Sequence, residues 1–337
     1  MKKINILINY KGYFETKHKP TPYEGGMDKS LIQDAFKEYD FSVNFIKFTE
    51  LDFNKSYKNE IFIYTSSEDV DSLYKDFIED IILTLSLQGA IVIPKYEFLR
   101  SHNNKVFMEL LAKNYKDSSL KSFGFGTIEE LESFLLSNKV NYPIVIKSAK
   151  GAVSSGVRLA KNKNDLIRKA KQISRSKNLN KELRDFLRKI RHKKYISESK
   201  FRRKFIIQEY IPDLKNDWKV YFFGDKLYIW FRYVRKNDFR ASGSGLFEFN
   251  EKVPIPNGLF DFCYDIYKKY DVPFISFDIA FDGMKFHLLE KQFLFFGKNG
   301  HYYSKYYYKK INNSWKKVEN KNTIEKVYVE SIVKFLK

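Results

Sequence analysis

Alternation of short apolar runs with amphipathic stretches over the first 95 residues is the strongest constraint on how this chain folds. Residues 4–9, 41–48, 60–65 and 90–94 read as strands, and residues 28–39 and 69–87 as helices, with Asp28 placed to cap the first helix. Strand–helix alternation of this kind builds a parallel sheet covered by its crossover helices. The opening MKKINILINY therefore reads as a first strand rather than a signal peptide, since its apolar run is short and no small-residue cleavage site follows. The longest apolar run, residues 81–93, contains Gln88 and Gly89 and meets Pro94, so it is too short to span a bilayer. A soluble, cytoplasmic chain is the expectation.

The pattern changes after residue 95. A helix over 103–115 is followed by Thr127 and Glu130, spaced as a capping box for a helix over 127–137. Strands follow at 142–148, 157–160, 205–210, 219–223, 226–235, 274–281 and 285–292, with Asp282-Gly283 marking a hairpin between the last two. Helices at 259–270 and 323–336 complete an α/β (α+β) chain. Three parts are expected: an N-terminal α/β unit over 1–95, a lobe over 96–205 and a lobe over 206–337. With 43% hydrophobic and 18% aromatic residues the chain can bury a core, which excludes disorder as its main state.

Charge is unevenly placed. The chain carries +20, and residues 161–204 hold 18 basic against 4 acidic side chains, or +14. Helical periodicity runs through this segment (Leu166, Ile167, Ala170, Ile173; Leu183, Phe186, Leu187, Ile190), which suggests one or two basic amphipathic helices. Such a balance favours an acidic partner: an acidic glycan or peptide chain, an anionic membrane face or nucleic acid. Nucleic acid is disfavoured, because only Phe186, Tyr195 and Phe201 are available for stacking and no recognised binding motif is present. A solvated helical face accounts for the segment equally well. The single cysteine, Cys263, excludes an internal disulfide, and no Cys/His cluster has zinc spacing.

Three segments carry chemistry. In YPIVIKSAKGAVSSGVRLAKN a strand delivers Lys147, and a small-residue loop from Gly151 through Ser154 and Ser155 to Gly156 leads into a returning strand. Backbone N–H groups of such a loop, with a nearby ammonium, suit phosphate oxygens. A plain hairpin with a surface lysine fits the same residues, and the spacing is neither a Walker A loop nor a Rossmann fingerprint. In FIIQEYIPDLKNDWKVYFFGDKLYIWFRYVRKNDFRASGSG, Gln208, Glu209 and Ile211 end an apolar strand. Asp217 and Lys219 flank Trp218, and Arg232, Arg235 and Arg240 precede a Ser/Gly loop that begins at Ser242. Arginines grouped in this way suit an anion that gains charge in a reaction, or a solvated strand face. In ISFDIAFDGMKFHLLEKQ, Asp278 faces a partner strand that bears Glu290 and Gln292. Three oxygen donors in apolar surroundings suit Mg2+ held together with phosphates, while outward-facing carboxylates are the plainer alternative.

In this order the three segments resemble the ATP-grasp superfamily, closest to its carboxylate–amine ligases of the ribosomal-protein S6 modification and glutathione synthetase type, over roughly residues 96–297. The resemblance implies a fold in which ATP is held between two sheet-containing lobes. It implies that Lys105, Lys147 and the loop of Gly151, Ser154, Ser155 and Gly156 bind the triphosphate, and that Gln208, Glu209 and Ile211 form the adenine hinge. Asp217 and Lys219 stand for the family's Asp-x-Arg pair, and Asp278, Glu290 and Gln292 for its Asp…Glu-x-Asn metal triad, with two Mg2+ ions, or Mn2+, expected. Arg240 with Ser242 falls beside the transferred phosphoryl group, where Arg232 would assist. Gln for Asn at 292 and Lys for Arg at 219 depart from the pattern, and the second loses bidentate geometry. Residues 161–204 look like an insertion of this branch. The wording of IPKYEFLRSHNNKVFMELL and NDFRASGSG also looks like ATP-grasp proteins of bacterial surface-polysaccharide gene clusters.

The activity implied is an ATP- and Mg2+-dependent ligation that joins a carboxylate-bearing acceptor to an amine donor through an acylphosphate. A phosphotransferase on the same fold and a peptide-modifying ligase are the alternatives. No side-chain nucleophile is needed, and Cys263 and His287 read as structural. The oligomeric state is not legible in the sequence.

Overall fold

The apolar runs of the N-terminal segment pair side by side as expected. The structure, a computed structural model, describes residues 2–16, 25–117, 120–151, 156–236, 238–240, 244–249, 253–294 and 296–337. Strands β1 (Lys2–Ile8), β2 (Phe41–Lys47), β3 (Ile61–Tyr64) and β4 (Ile91–Ile93) form a parallel sheet in the order β2-β1-β3-β4. Helix α1 (Lys29–Lys37) crosses from β1 to β2 and α2 (Leu73–Leu87) from β3 to β4, and α3 (Tyr96–Ser101) follows. Asp28 caps α1 as anticipated, its carboxylate accepting the Ser30 and Leu31 N–H groups.

The chain then divides into two compact units: Asn103–Pro212 by itself, and Met1–His102 together with Asp213–Lys337. The Asn103–Pro212 unit contains α4 (Lys105–Asn114), β5 (Ser122–Phe125), α5 (Ile128–Ser137), β6 (Ile144–Ser148), β7 (Val157–Ala160), α6 (Lys163–Ser174), α7 (Leu179–Arg191) and β8 (Phe205–Glu209). Its strands form an antiparallel sheet in the order β5-β8-β6-β7. Alternation turns Phe125, Ile144, Ile146, Phe205 and Ile207 to one face, where Ile128 and Leu131 of α5 and Leu166 and Ala170 of α6 complete a core. The Thr127–Glu130 capping box forms: Glu130 N donates to Thr127 Oγ1 at 3.3 Å, and Thr127 N to Glu130 Oε2 at 3.0 Å.

The basic stretch is thereby split. Helix α6 belongs to the core of its unit, because Leu166, Ala170 and Ser174 are buried beneath it. In α7 the leucine, phenylalanine and isoleucine side chains are exposed.

The longer unit adds a second, antiparallel sheet: β9 (Asn216–Phe223), β10 (Lys226–Tyr233), β11 (Phe247–Glu248), α8 (Leu259–Tyr267), β12 (Phe274–Phe281), β13 (Phe286–Gln292), α9 (Asn299–Tyr303), β14 (Tyr306–Ile311), β15 (Ser314–Glu319) and α10 (Ile324–Leu336). The order is β13-β12-β9-β10-β14-β15, with β11 also on β10. One face packs on α8, where Phe222 stacks on Tyr267 at 4.7 Å. The other meets α10, Phe274 lying 4.8 Å from Tyr328. Contacts within this unit tie the two sheets together: α1 packs on α10, and Lys298 pairs with Glu15 at 2.8 Å, both side chains buried. Cys263 is fully buried in α8, and burial pushes its thiol pKa up, in keeping with a core role. The β14–β15 hairpin was not read from the sequence, although Asn312-Asn313, both at positive φ, is a type I′ turn signal. Its lysine-rich strands obscure the apolar alternation.

The difference between α6 and α7 has a measurable consequence. Leu166→Ala should cost about 2–5 kcal/mol of unfolding free energy, the range for emptying a core leucine site. Leu183→Ala in α7 should stay within about 0.5 kcal/mol, as for surface positions. Urea denaturation of both variants checks this, and equal costs would contradict the placement of α6.

Candidate functional site

Strand register gathers the acidic and basic candidates of the longer unit on one sheet face. Asp278 of β12 pairs with Lys219 of β9 on one side and Glu290 of β13 on the other, while Lys219 pairs with Trp230 of β10. One rung along, Asp217 pairs with Arg232, and in the opposite direction Ser276 pairs with Gln292. Residues directly opposite share a face, so Asp217, Lys219, Arg232, Asp278, Glu290 and Gln292 all point to the same side. A β-bulge makes this possible. Ile279 pairs with Leu288, but Asp278 pairs with Glu290, so Leu289 is the extra residue. Without it, Glu290 and Gln292 would turn to the opposite face.

The side chains form a charge network. Arg232 forks onto Asp217, with Nε to Oδ1 at 2.6 Å and Nη2 to Oδ2 at 2.7 Å, and its Nη2 also lies 2.7 Å from Asp278 Oδ2. Lys219 Nζ stands 2.8 Å from Asp278 Oδ1 and donates to Gln292 Oε1 at 2.9 Å. Asp217, Lys219 and Asp278 are 1%, 7% and 5% exposed. At this depth an uncompensated charge is costly, so the pairing is obligatory.

The two carboxylates that share Arg232 titrate as a unit and are driven apart. Burial pushes Asp217 up to about 6, since Arg232 offsets only part of the lost hydration and the Asp278 charge adds to the shift. Burial also opposes ionisation of Asp278, but the Arg232 and Lys219 charges outweigh it and hold this carboxyl well below the usual range. Asp278 is therefore the permanent anion of the network.

Donor chemistry at Asp278, Glu290 and Gln292 fits a hard cation such as Mg2+: carboxylate and amide oxygens without sulfur or imidazole. The geometry agrees, because the Asp278 and Gln292 oxygens already converge on one positive centre, the Lys219 ammonium. Among the described residues no three His, Cys, Asp or Glu side chains group as a metal cage. A metal here would need the Gln292 amide and ligand oxygens to complete its shell.

In the Asn103–Pro212 unit the sheet face opposite the core carries the other candidates. Lys147 of β6 donates to Gln208 Oε1 of β8 at 2.6 Å, and Gln208 Nε2 donates to Glu109 of α4 at 3.3 Å. Lys105, at the start of α4, donates to the Gly151 carbonyl at 3.1 Å, and Gly151 N donates to Asn103 Oδ1 at 2.8 Å. Asn103 and Lys105 thus hold the entry to the loop. At its far end a Cβ on Gly156 would lie 2.6 Å from Ser148 Cβ, so only glycine allows the strands to close there. Glu209 points to the other face, where its carboxylate accepts the Lys121 N–H at 3.2 Å, and Ile211 is buried.

Some expectations fall elsewhere. Ser154, Ser155 and Ser242 lie outside the described residues. Arg240 forks onto Asp238, two residues upstream, at 2.8–3.2 Å. His287 bonds Asp282 at 2.7 Å, and His301 is buried against Tyr228 with ring centroids 5.2 Å apart. Glu109 and Asn103 were missed by the sequence reading. Glu109 follows Lys105 by four residues and so shares its helix face, a signal that was available.

No family model and no curated protein sequence matches the chain. The fold itself is the ATP-grasp fold, a parallel α/β sheet followed by two antiparallel sheets. Among solved structures the chain is similar to D-cycloserine synthetase DcsG over 99% of this chain and 100% of that one, at 9% identity and a TM-score of 0.58. It is also similar to N5-carboxyaminoimidazole ribonucleotide synthetase in its ADP complex, over 89% of this chain and 72% of that one, at 10% identity and a TM-score of 0.50.

Two predictions follow from the charge network. Arg232→Ala should cost about 3–5 kcal/mol, because it strips the shared cation from two buried carboxylates; denaturant titration at neutral pH reads this, and a cost below about 1 kcal/mol would contradict the network. For Asp217 the folded pKa lies above its ordinary 3.8. Its contribution to stability is therefore full below that value and lost as pH rises through about 6. The stability of the wild type relative to Asp217→Asn should accordingly fall between about pH 4 and pH 6, and a flat or rising difference would contradict the assignment.

Proposed function

We propose that this protein is an ATP- and Mg2+-dependent ligase that joins a carboxylate to an amine. The observation that carries the reading is the bulge-directed convergence of Asp278, Glu290 and Gln292 with Lys219 and Arg232 on one face of the antiparallel sheet in an ATP-grasp fold. Lys105, Lys147 and Gly151, with Gly156 closing the loop, bind and orient the triphosphate. Gln208 fixes the Lys147 ammonium through a hydrogen bond, and Glu109 fixes Gln208 in turn. Asp278, Glu290 and Gln292 would hold Mg2+, which would supply charge neutralisation for the phosphoryl group.

The substrate carboxylate attacks the γ-phosphorus, ADP departs and an acylphosphate remains. The amine then attacks the acyl carbon, inorganic phosphate leaves and the nitrogen gives up a proton to form the amide. Arg232 and Lys219 are fixed cations on this sheet face, already organised by their carboxylate partners before any substrate arrives. Arg240, released from Asp238, is the cation assigned to the transferring phosphoryl group. The sequence likeness to polysaccharide-cluster proteins makes carboxylated glycan precursors the first acceptors to test.

With Mg2+, ATP and a panel of carboxylates and amines, one pair should release ADP together with amide. EDTA should abolish this and Mg2+ restore it, and Glu290→Ala should lower turnover on the order of 100-fold. Undiminished turnover in that variant would remove the metal assignment, and a phosphorylated acceptor without amide would replace ligase by phosphotransferase.

A further inference from the structure

Helix α7 is packed with its polar side inward. At 3.6 residues per turn Leu179, Leu183, Phe186, Leu187 and Ile190 form one stripe, about 100° wide. These five side chains are 54–80% exposed, and the only buried residue of the helix is Asp185. The acidic side chains do the anchoring. Glu182 pairs with Arg175 at 2.7 Å and Lys200 at 3.4 Å, and Asp185 accepts the Tyr195 hydroxyl at 2.7 Å. A helix that served only the fold would turn such a stripe to the core, since burying each large apolar side chain is worth about 1.5–3 kcal/mol. Here the helix is attached by hydrogen bonds and ion pairs, and the stripe faces outward with Ile196, also exposed, a few residues on.

The charges around the stripe identify what covers it. Residues 177–194 hold eight basic and two acidic side chains, and both acids, Glu182 and Asp185, are engaged on the inward side. The stripe is therefore bordered by cations, with Arg184 and Arg191 exposed along one edge and Lys189 exposed beyond the other, while Arg188 turns back to Asp185 at 3.9 Å. A polyanion alone would match the cations and leave the leucines in water. A neutral apolar groove would cover the leucines and leave the cations unmatched.

We propose that α7 docks on an anionic lipid bilayer, lying in the plane of the interface with its stripe at the acyl boundary and its basic side chains on headgroup phosphates. Its 13 residues span about 20 Å, enough to lie along the interface and too short to cross it. No helix among the described residues is long and apolar enough to cross a membrane, so this contact is peripheral. The proposal stands independently of the ATP-dependent reaction.

Co-sedimentation of the full chain with vesicles tests it. The wild type should pellet with vesicles of equal parts phosphatidylglycerol and phosphatidylcholine, release at high salt, and stay in solution with phosphatidylcholine alone. The double variant Phe186→Gln, Ile190→Gln should lose partitioning on the order of tenfold or more. Arg184→Gln and Arg191→Gln should each lose on the order of fivefold. Thermal unfolding of all variants should match the wild type, because none of the altered side chains packs inside. Failure of the wild type to bind would overturn the proposal, as would full binding by the Phe186/Ile190 variant, which would leave charge alone as the cause. Inert vesicles together with a wild-type dimer that the same double variant dissolves would assign the stripe to a second copy. Inert vesicles together with binding to polyglutamate would assign the basic side to an acidic chain. Either result also overturns the membrane proposal.

Discussion

A guanidinium buried between two carboxylates organises the charged face of the longer unit's antiparallel sheet. Arg232 binds Asp217 through two hydrogen bonds and reaches Asp278, which Lys219 approaches from its other side. Taking these charges out of water gains little stability that apolar side chains of similar size would not supply. The rest of the same sheet face is aromatic: Tyr221 stacks on Phe296 and Phe274 lies against Tyr328. Asp278 keeps its charge because two cations face it, while burial, with the Asp278 charge adding to it, pushes Asp217 toward neutrality at mildly acid pH.

That arrangement depends on one inserted residue. The bulge at Leu289 shifts β13 by a position and turns Glu290 and Gln292 to the side of Asp278. Lysine at 219, where the ATP-grasp pattern that the sequence resembles has arginine, has a definite contact in this setting. Its single ammonium bridges Asp278 and Gln292. The longer reach of glutamine over asparagine at 292 serves the same contact.

Much of this was legible in the sequence for identifiable reasons. Strand–helix alternation encodes a parallel sheet, and β1 to β4 follow it. Cap chemistry is local, so Asp28 and the Thr127–Glu130 box appear where their spacing puts them. Asp278, Glu290 and Gln292 were picked out by residue type in apolar surroundings, but the pairing of Arg232 with Asp217 and Asp278 depends on the registers of β9, β10 and β12, which no local pattern encodes. Charge density misled once. It presented residues 161–204 as one basic stretch, whereas burial of Leu166 and Ala170 makes α6 part of a core and leaves α7 with its apolar stripe outside. Periodicity reports that a helix has an apolar face and is silent on which way that face turns.

Calorimetric titration of the whole protein with Mg2+ and a non-hydrolysable ATP analogue tests nucleotide binding without knowledge of the acceptor. One nucleotide should bind saturably per chain, and binding should be lost when Lys147, held by hydrogen bonds through Gln208 to Glu109, is replaced by Met. Absence of binding, or undiminished binding by the Lys147→Met protein, would contradict nucleotide binding at Lys147.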